Sequence, residues 1–206
     1  GAIHRSNLPP VRVNLDLESN IKLAKAFNTP VILDSKIRDG SLRQACTELG
    51  IPVLVYEGGE ALRFDELAIR AGVKGIRGIM NYLDMLSYSS RKNTKCIIPM
   101  ISRSSRWIRA QDSGIIHAFK NLGETVNKGD SLGIIVDPFG TDETPIISTV
   151  DGIIIGKSNL PLANEGDALF HIAQFKELDI VASQVNDFEN IEPYISGPLF
   201  DYESKP

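Results

Sequence analysis

The chain lacks any long hydrophobic run. None of its apolar segments approaches the roughly 20 residues that an α-helix needs to span a bilayer, and its first residues carry no signal-peptide pattern. Cysteine is also scarce, because Cys46 and Cys96 are the only two in 206 residues, which excludes a disulfide framework. We therefore expect a soluble protein with no membrane partner, in a reducing, cytoplasmic compartment.

Histidine is almost as scarce. The three histidines are His4, His117 and His171. They form none of the His-x-x-Glu or His-x-x-x-His pairs that commonly hold zinc, and the cysteines form no Cys-x-x-Cys pair. No metal ligand is therefore predicted within the chain. His117 and His171 lie in apolar, strand-like segments, and we interpret them as ordinary histidines of a β domain.

The chain also lacks a net positive charge. The formal net charge is −4, so no general basic field is present to attract nucleic acid. Trp107 lies between Arg106 and Arg109, a local pattern that nucleic-acid-binding proteins also use. Without the wider field we expect no nucleic-acid partner, and we interpret Trp107 as a packing residue where two lobes meet.

The strongest local signal is an apolar run over residues 51–56 that ends in Glu57, Gly58 and Gly59. Buried strands of open α/β sheets are short apolar runs, and ligands bind such sheets just beyond the strand ends. Glu57 is thus a candidate for chemistry, and the two glycines fit a sharp turn or a close approach. Two alternatives remain open: Glu57 caps a turn, or Glu60, at the start of the next helix, is the reactive carboxylate.

Strands and helices alternate around this run. The spacing predicts a helix over 18–27, a buried strand over 31–33, a capped helix over 38–50 and an amphipathic helix over 64–86. The last helix contains three glycines that are expected to break it, Gly72, Gly75 and Gly78. This alternation predicts an α/β layer over residues 1–90.

Residues 91–175 follow a different pattern, with short apolar runs separated by Gly, Asp, Asn and Pro. A Gly-Asp turn before a returning strand occurs twice, in 123–133 and 163–169. We predict a β barrel-sandwich lobe similar to biotinyl and lipoyl carriers. A carrier needs a lysine at the tip between the two halves, and residues 137–145 contain none. An accessory lobe that shapes a site or mediates oligomer contacts fits better, followed by an acidic, irregular tail over 176–206.

Four separated motifs together resemble the succinylglutamate desuccinylase/aspartoacylase family. They are His4-Arg5-Ser6-Asn7-Leu8-Pro9, Arg38-Asp39-Gly40-Ser41-Leu42-Arg43, Tyr56-Glu57-Gly58-Gly59-Glu60 and Leu160-Pro161-Leu162-Ala163-Asn164-Glu165-Gly166-Asp167. The resemblance implies the C-terminal part of a zinc-carboxypeptidase-like α/β/α domain, followed by the β barrel-sandwich lobe. It also implies a zinc-dependent amidohydrolase that removes the acyl group from a small N-acyl amino acid or similar amine.

The same resemblance implies that Glu57 is the general acid/base that works on a zinc-bound water. The family's zinc ligands, a His-x-x-Glu pair and a later histidine in an Asp-Leu-His segment, are absent here. We therefore expect the ligands upstream of this chain, a chain that begins just after the last ligand, and little activity from this chain alone. His4 is expected to contact a metal ligand or to face the substrate.

Substrate contacts are implied for Arg5, Asn7, Arg38 and Arg43, which flank the family motifs. A guanidinium pairs bidentately with a carboxylate, which an N-acyl amino acid carries. The alternative function is a non-catalytic small-molecule-binding or interaction protein on the same scaffold. A homo-oligomer is compatible with the sequence.

Overall fold

The computed structural model describes residues 4–86 and 98–189. Cys96, the predicted lobe boundary near residue 90 and the end of the predicted tail lie outside these residues. The four described helices are α1 (Glu18–Phe27), α2 (Leu42–Glu48), α3 (Glu66–Tyr82) and α4 (Leu178–Glu189). None of them is long and apolar enough to cross a membrane.

Fourteen short strands form three sheets in the described residues. They are β1 (Arg5–Asn7), β2 (Val11–Val13), β3 (Val31–Asp34), β4 (Val55–Tyr56), β5 (Gly59–Glu60), β6 (Met100–Ser102), β7 (Ser104–Arg109), β8 (Gly114–Ala118), β9 (Thr125–Val126), β10 (Ser131–Val136), β11 (Glu143–Ile147), β12 (Gly152–Ser158), β13 (Leu162–Ala163) and β14 (Ala168–Gln174).

The α/β sheet has the strand order β4-β2-β3-β6. Strands β2, β3 and β6 are parallel, and β4 is antiparallel to β2. One face buries Val11, Val13 and Ile32 against Phe27 of α1 and Ile79 of α3. The mixed α/β fold that the alternation predicted is therefore confirmed for this layer.

The run that ends in Glu57 is not the buried strand that its composition predicted. Only Val55 and Tyr56 are in a strand, at the edge of the sheet, and Ile51 is 51% exposed. Because β4 runs against β2, Glu57 lies beside Pro10, whose carbonyl accepts its backbone N–H at 3.2 Å. Glu57 is thus at the end of the sheet where the parallel strands begin, opposite to their carboxyl ends.

Helix α3 is continuous, contrary to the break expected at its glycines. Gly75 and Gly78 face α1, and a Cβ on them would overlap the Phe27 ring and the Ala26 carbonyl oxygen respectively. The glycines therefore let two helices approach closely. Packing of this face outweighs their low helix propensity.

The β lobe consists of two antiparallel sheets packed face to face. The large sheet has the order β5-β1-β12-β14-β7, with β9 also paired to β12, and the outer sheet has the order β11-β10-β8-β13. Side chains from both sheets, including Leu132, Ile135, Ile154 and Phe170, share one core. In the described parts of the chain neither sheet closes into a barrel. The barrel-sandwich form of the lobe therefore stays a prediction.

The repeated turn of the β lobe is real. The backbone N–H of Asn127 donates to Asp130 Oδ2 and that of Asn164 donates to Asp167 Oδ2, both at 2.8 Å. The identical bond explains why both halves use Gly-Asp, because the aspartate closes the turn that returns the chain to the sheet.

The α/β layer and the β lobe exchange strands. Strands β1 and β5, from the first ninety residues, join the large sheet, while β6 joins the α/β sheet. Residues 178–189, expected to be an irregular tail, form α4. Its apolar residues recur at helical spacing, and Val181 and Val185 pack in the core that contains Leu33 and Ile155.

Candidate functional site

Glu57 is held by an arginine from the neighbouring strand. Arg12 Nε donates to Glu57 Oε2 at 2.8 Å, and the two side chains are 23% and 31% exposed. Side chains alternate between the two faces of a strand. Val11 and Val13 face the helices, so Arg12, between them in β2, lies on the other face of the α/β sheet. It pairs in register with Leu33, which packs against Ile155 and Ala173 of the large sheet. The Arg12–Glu57 pair therefore lies on the face that looks toward the large sheet.

A row of side chains crosses the large sheet on the facing side. The register pairs Asn7 with Gly156, Gly156 with His171, and His171 with Trp107. Residues paired across strands share a face. Ala173, two positions from His171, belongs to the same core cluster as Leu33, so this row faces the α/β sheet.

Three flat groups stack in this row. The Trp107 indole lies parallel to the His171 imidazole, with ring centroids 4.4 Å apart and an interplanar angle of 7°. The guanidinium carbon of Arg5 is 4.5 Å from the Trp107 ring centroid. Gly156 leaves room for the stack, since a Cβ there would lie 3.0 Å from Asn7 Oδ1 and 3.1 Å from His171 Cβ.

His171 is buried and neutral. Burial is the main cause that lowers its pKa to about 4; the charge of Arg12 and then of Arg5 lowers it further, and Glu57 opposes them. Its Nε2 lies 2.9 Å from Ser105 Oγ. All three residues therefore lie near enough to act on the charge of this imidazole. Six residues thus form what we term the inter-sheet cluster: Arg5, Asn7, Arg12, Glu57, Trp107 and His171.

Glu60, the competing carboxylate, occupies a different place. It lies in β5, six residues before α3 begins rather than at the helix start, and pairs with Arg63 at 3.5 Å. It lines an open hollow of about 350 Å³ on the α3 side of the chain. Glu57 is not among the residues that line this hollow, and its carboxylate pairs with Arg12 instead.

The Gly58-Gly59 turn matches the conformation that the sequence suggested. Gly59 has a φ of 71°, and a Cβ on Gly58 would lie 2.7 Å from the Tyr56 hydroxyl. That hydroxyl donates to the Ala68 carbonyl of α3 at 2.5 Å, and burial raises the pKa of Tyr56. Tyr56 is thereby fixed, and so is the backbone that carries Glu57.

The two arginines near α2 lie elsewhere. Arg43 donates to the carbonyl and hydroxyl oxygens of Ser35, both at 3.2 Å, and to the Lys36 carbonyl at 3.1 Å. Ser35 follows β3 at the carboxyl ends of the parallel strands, opposite to Glu57. Arg38 is exposed on the same loop. The structure thus brings Arg5 and Asn7 together with Glu57, but not Arg38 or Arg43.

The described residues contain no group of three or more His, Cys, Asp or Glu side chains that could hold a metal ion. His4 is exposed beside β1. The zinc that the resemblance implies therefore has no ligand set among residues 4–86 and 98–189.

Three members of the inter-sheet cluster were not singled out from the sequence as site residues: Arg12, Trp107 and His171. Arg12 offered a signal, because a charged residue between two valines in a strand is unusual for a buried layer. His171 was interpreted as an ordinary strand histidine. Its side chain lies on the face of the large sheet that is turned toward the α/β sheet, and not in the core of the β lobe. Trp107 does lie where the two parts meet, as its interpretation required.

No protein-family model and no curated protein matches the sequence, but solved structures match the fold. The ectoine utilization protein EutE (DoeB) from Ruegeria pomeroyi, in its apo form, superposes with a TM-score of 0.75 at 17% identity, over 85% of this chain and 58% of that chain. A succinylglutamate desuccinylase/aspartoacylase from Rhodobacter sphaeroides gives 0.70 at 18% identity, over 84% and 55%. A succinylglutamate desuccinylase from Silicibacter sp. TM1040 gives 0.66 at 19%, over 84% and 56%.

These likenesses define the class of fold, a mixed α/β layer joined to a β sandwich. This is the fold of solved succinylglutamate desuccinylase/aspartoacylase family structures, the family that the motifs resemble, so the recognition is confirmed at the level of the fold. The chain spans little more than half the length of the structures it matches.

Proposed function

We propose that the chain is part of a deacylase that hydrolyses the amide of a small N-acyl amino acid or a similar N-acylated amine. The fold supports a hydrolytic deacylase. The observation that carries the proposal is that the Arg12–Glu57 pair and the Arg5 guanidinium both lie close enough to His171 to act on its charge. One carboxylate able to move protons beside one cation able to hold a carboxylate is what this reaction requires.

In the proposed reaction, water adds to the amide carbon, the C–N bond breaks and the departing amine gains a proton. Glu57 takes the proton from the attacking water and delivers it to the amine nitrogen, so protons balance within one turnover. Arg12 bonds one carboxylate oxygen, Oε2, which fixes the direction of the other. A positioned acid/base contributes about 10²–10⁴-fold in rate.

Arg5 and Asn7 orient the substrate in this proposal. They project from one face of β1, because residues two apart in a strand share a face. The Arg5 guanidinium offers a fork of donors for a substrate carboxylate, and the Asn7 amide supplies both a donor and an acceptor. Arg38 and Arg43 are not needed for this arrangement.

Zinc dependence, with ligands outside the described residues, stays part of the proposal on the strength of the family resemblance. We expect the 206-residue chain, purified without a metal-binding tag, to carry well under one zinc per chain by elemental analysis. One tightly held zinc per chain would contradict this expectation and would require a ligand set that includes His4.

The proposal is tested by Glu57→Gln in the complete gene product, assayed with N-succinylglutamate and N-acylaspartates. The amide keeps the size of the side chain but cannot exchange protons, so we expect turnover to fall by about 10²–10⁴-fold while KM changes little. The matched control is Glu60→Gln, which alters a carboxylate three positions away on the α3 side and should retain turnover within about twofold.

Full turnover by the Glu57→Gln protein would refute the assignment of Glu57. If the wild-type protein binds these compounds without hydrolysing them, the non-catalytic small-molecule-binding alternative replaces the enzyme.

A further inference from the structure

The Arg5 guanidinium rests on side chains that come from the β lobe, more than one hundred residues away in sequence. Trp107 belongs to β7 and His171 to β14, and the two strands pair directly at these residues. The stack of guanidinium, indole and imidazole has centroid separations of 4.5 and 4.4 Å. Such spacings are typical of cation–π and aromatic contacts.

The charges of the inter-sheet cluster do not balance. Arg12 has Glu57 as its ion-pair partner, whereas Arg5 pairs with no carboxylate within the described segments. His171 adds no charge near neutral pH, because burial lowers its pKa to about 4. The cluster therefore holds two guanidiniums and one carboxylate, and the Arg5 side chain is only partly buried, which leaves one positive charge for a ligand.

A long arginine side chain loses considerable rotamer freedom when it binds a ligand. A flat aromatic platform removes that cost beforehand, because the guanidinium is already held in one plane. His171 in turn stacks on the indole, and its Nε2 lies 2.9 Å from Ser105 Oγ. Gly156, between β1 and β14, contributes no side chain there, and the Trp107 ring approaches to 3.6 Å from the position that a Cβ would take.

We infer that Trp107 and His171 are positioning residues that preorganise Arg5 to bind a carboxylate of a small ligand beside Glu57. The inference rests on the proposed function for the identity of the ligand. It makes the β lobe a functional part of the site and not only a neighbour of it. The ligand class is a small aliphatic carboxylate, such as the acyl or amino-acid part of an N-acyl amino acid.

The test is equilibrium binding of succinate, which is not hydrolysed, by titration calorimetry on the complete gene product. The neutral isostere succinamide controls for contacts that do not depend on charge. Trp107 is the only tryptophan of the chain, so its fluorescence gives a second readout from within the stack. We expect saturable succinate binding with a fluorescence change, and no response to succinamide.

Four variants separate positioning from folding. We expect Arg5→Gln to abolish binding and Trp107→Leu to weaken it about tenfold, because the platform is lost. Trp107→Phe, which keeps an aromatic face, should remain within about threefold of wild type. The matched control is Arg106→Gln: this exposed arginine adjoins Trp107 on the opposite face of β7 and should bind as wild type. Melting temperatures verify that each variant is folded.

Equal binding by folded Trp107→Leu and wild-type proteins would overturn the inference, and so would a wild type that does not distinguish succinate from succinamide. Failure of the proposed function looks different: the wild-type protein would not hydrolyse N-acyl amino acids, while the Trp107 series still changed succinate affinity. Loss of turnover in Glu57→Gln, together with an inert Trp107 series, would retain the function and reject the positioning role.

Discussion

Arg12 determines how the candidate acid/base is presented. The ion pair with Glu57 is partly exposed, and pairs of that kind stabilise a fold by only about 0–1 kcal/mol. The main effect of the Arg12–Glu57 pair is on geometry. The pair holds the Glu57 carboxylate on the side of the large sheet, away from the hollow lined by Glu60. Arg12 thus contributes little to stability, but it determines toward which side of the sheet the Glu57 carboxylate points.

His171 makes stability depend on pH. Its pKa is about 4 in the folded protein against 6.5 ordinarily, so the unfolded chain binds a proton over a range in which the folded protein does not. The contribution of a neutral His171 is complete above about pH 6.5 and is lost as the pH falls toward 4. We expect the free energy of unfolding to drop by about 2 kcal/mol from pH 7 to pH 5 through this residue.

Urea unfolding at both pH values measures the effect, with His171→Gln as the comparison. The variant should lose that part of the pH dependence. If the free energy of unfolding changed by the same amount between pH 7 and pH 5 in the wild type and in the variant, His171 would not be the group responsible.

At the scale of single residues, the sequence suggested Glu57, Arg5 and Asn7 as candidates because local motifs carry them. It did not connect Trp107 and His171 to the site, because their contact with Arg5 depends on the registers between β1, β12, β14 and β7. The register between strands that are far apart in the sequence cannot be read from either strand alone.

At the scale of elements, the best predictions were those with local signals. Helix α1 spans Glu18–Phe27 as its periodicity indicated, and the Ser41 side chain caps α2 by accepting from the Gln44 N–H at 3.2 Å. The direction of β4 had no such signal, because an apolar run looks the same in a parallel and in an antiparallel edge strand. The predicted break in α3 was wrong because the low helix propensity of glycine does not take into account the close packing of α1 against Gly75 and Gly78.

Gly78→Ala tests that explanation of α3. Alanine raises helix propensity by about 1 kcal/mol, yet its Cβ would overlap the Ala26 carbonyl oxygen, a backbone atom of α1 that has little freedom to move. We expect a net destabilisation of about 1–2 kcal/mol, measured as a lower urea midpoint. The control Arg77→Ala is exposed on the same turn and should change stability by less than about 0.5 kcal/mol.

At the scale of the whole molecule, the exchange of strands predicts one cooperative unit. Helical circular dichroism reports mostly on the α/β layer, whereas Trp107 fluorescence reports on the large sheet. We expect both signals to change in a single urea transition, because Leu8, Leu33 and Ile155 share one core with α4.

Leu33→Ala should shift both transitions together by about 2–4 kcal/mol, since Leu33 is only 2% exposed. Leu49→Ala, at a residue 75% exposed, should shift neither. Two separated transitions, or a Leu33→Ala effect confined to circular dichroism, would show that the α/β layer and the β lobe fold independently.

The position of β1 has a consequence for biosynthesis. Arg5, Ser6 and Asn7 pair with Ser158, Lys157 and Gly156, so β1 has no partner in β12 until that later segment has left the ribosome. At about 5–20 residues per second, the delay is roughly ten to thirty seconds. During that time the nascent chain holds Arg5 without the Trp107–His171 stack that we propose orients it, so the inter-sheet cluster cannot form before His171 has been synthesised.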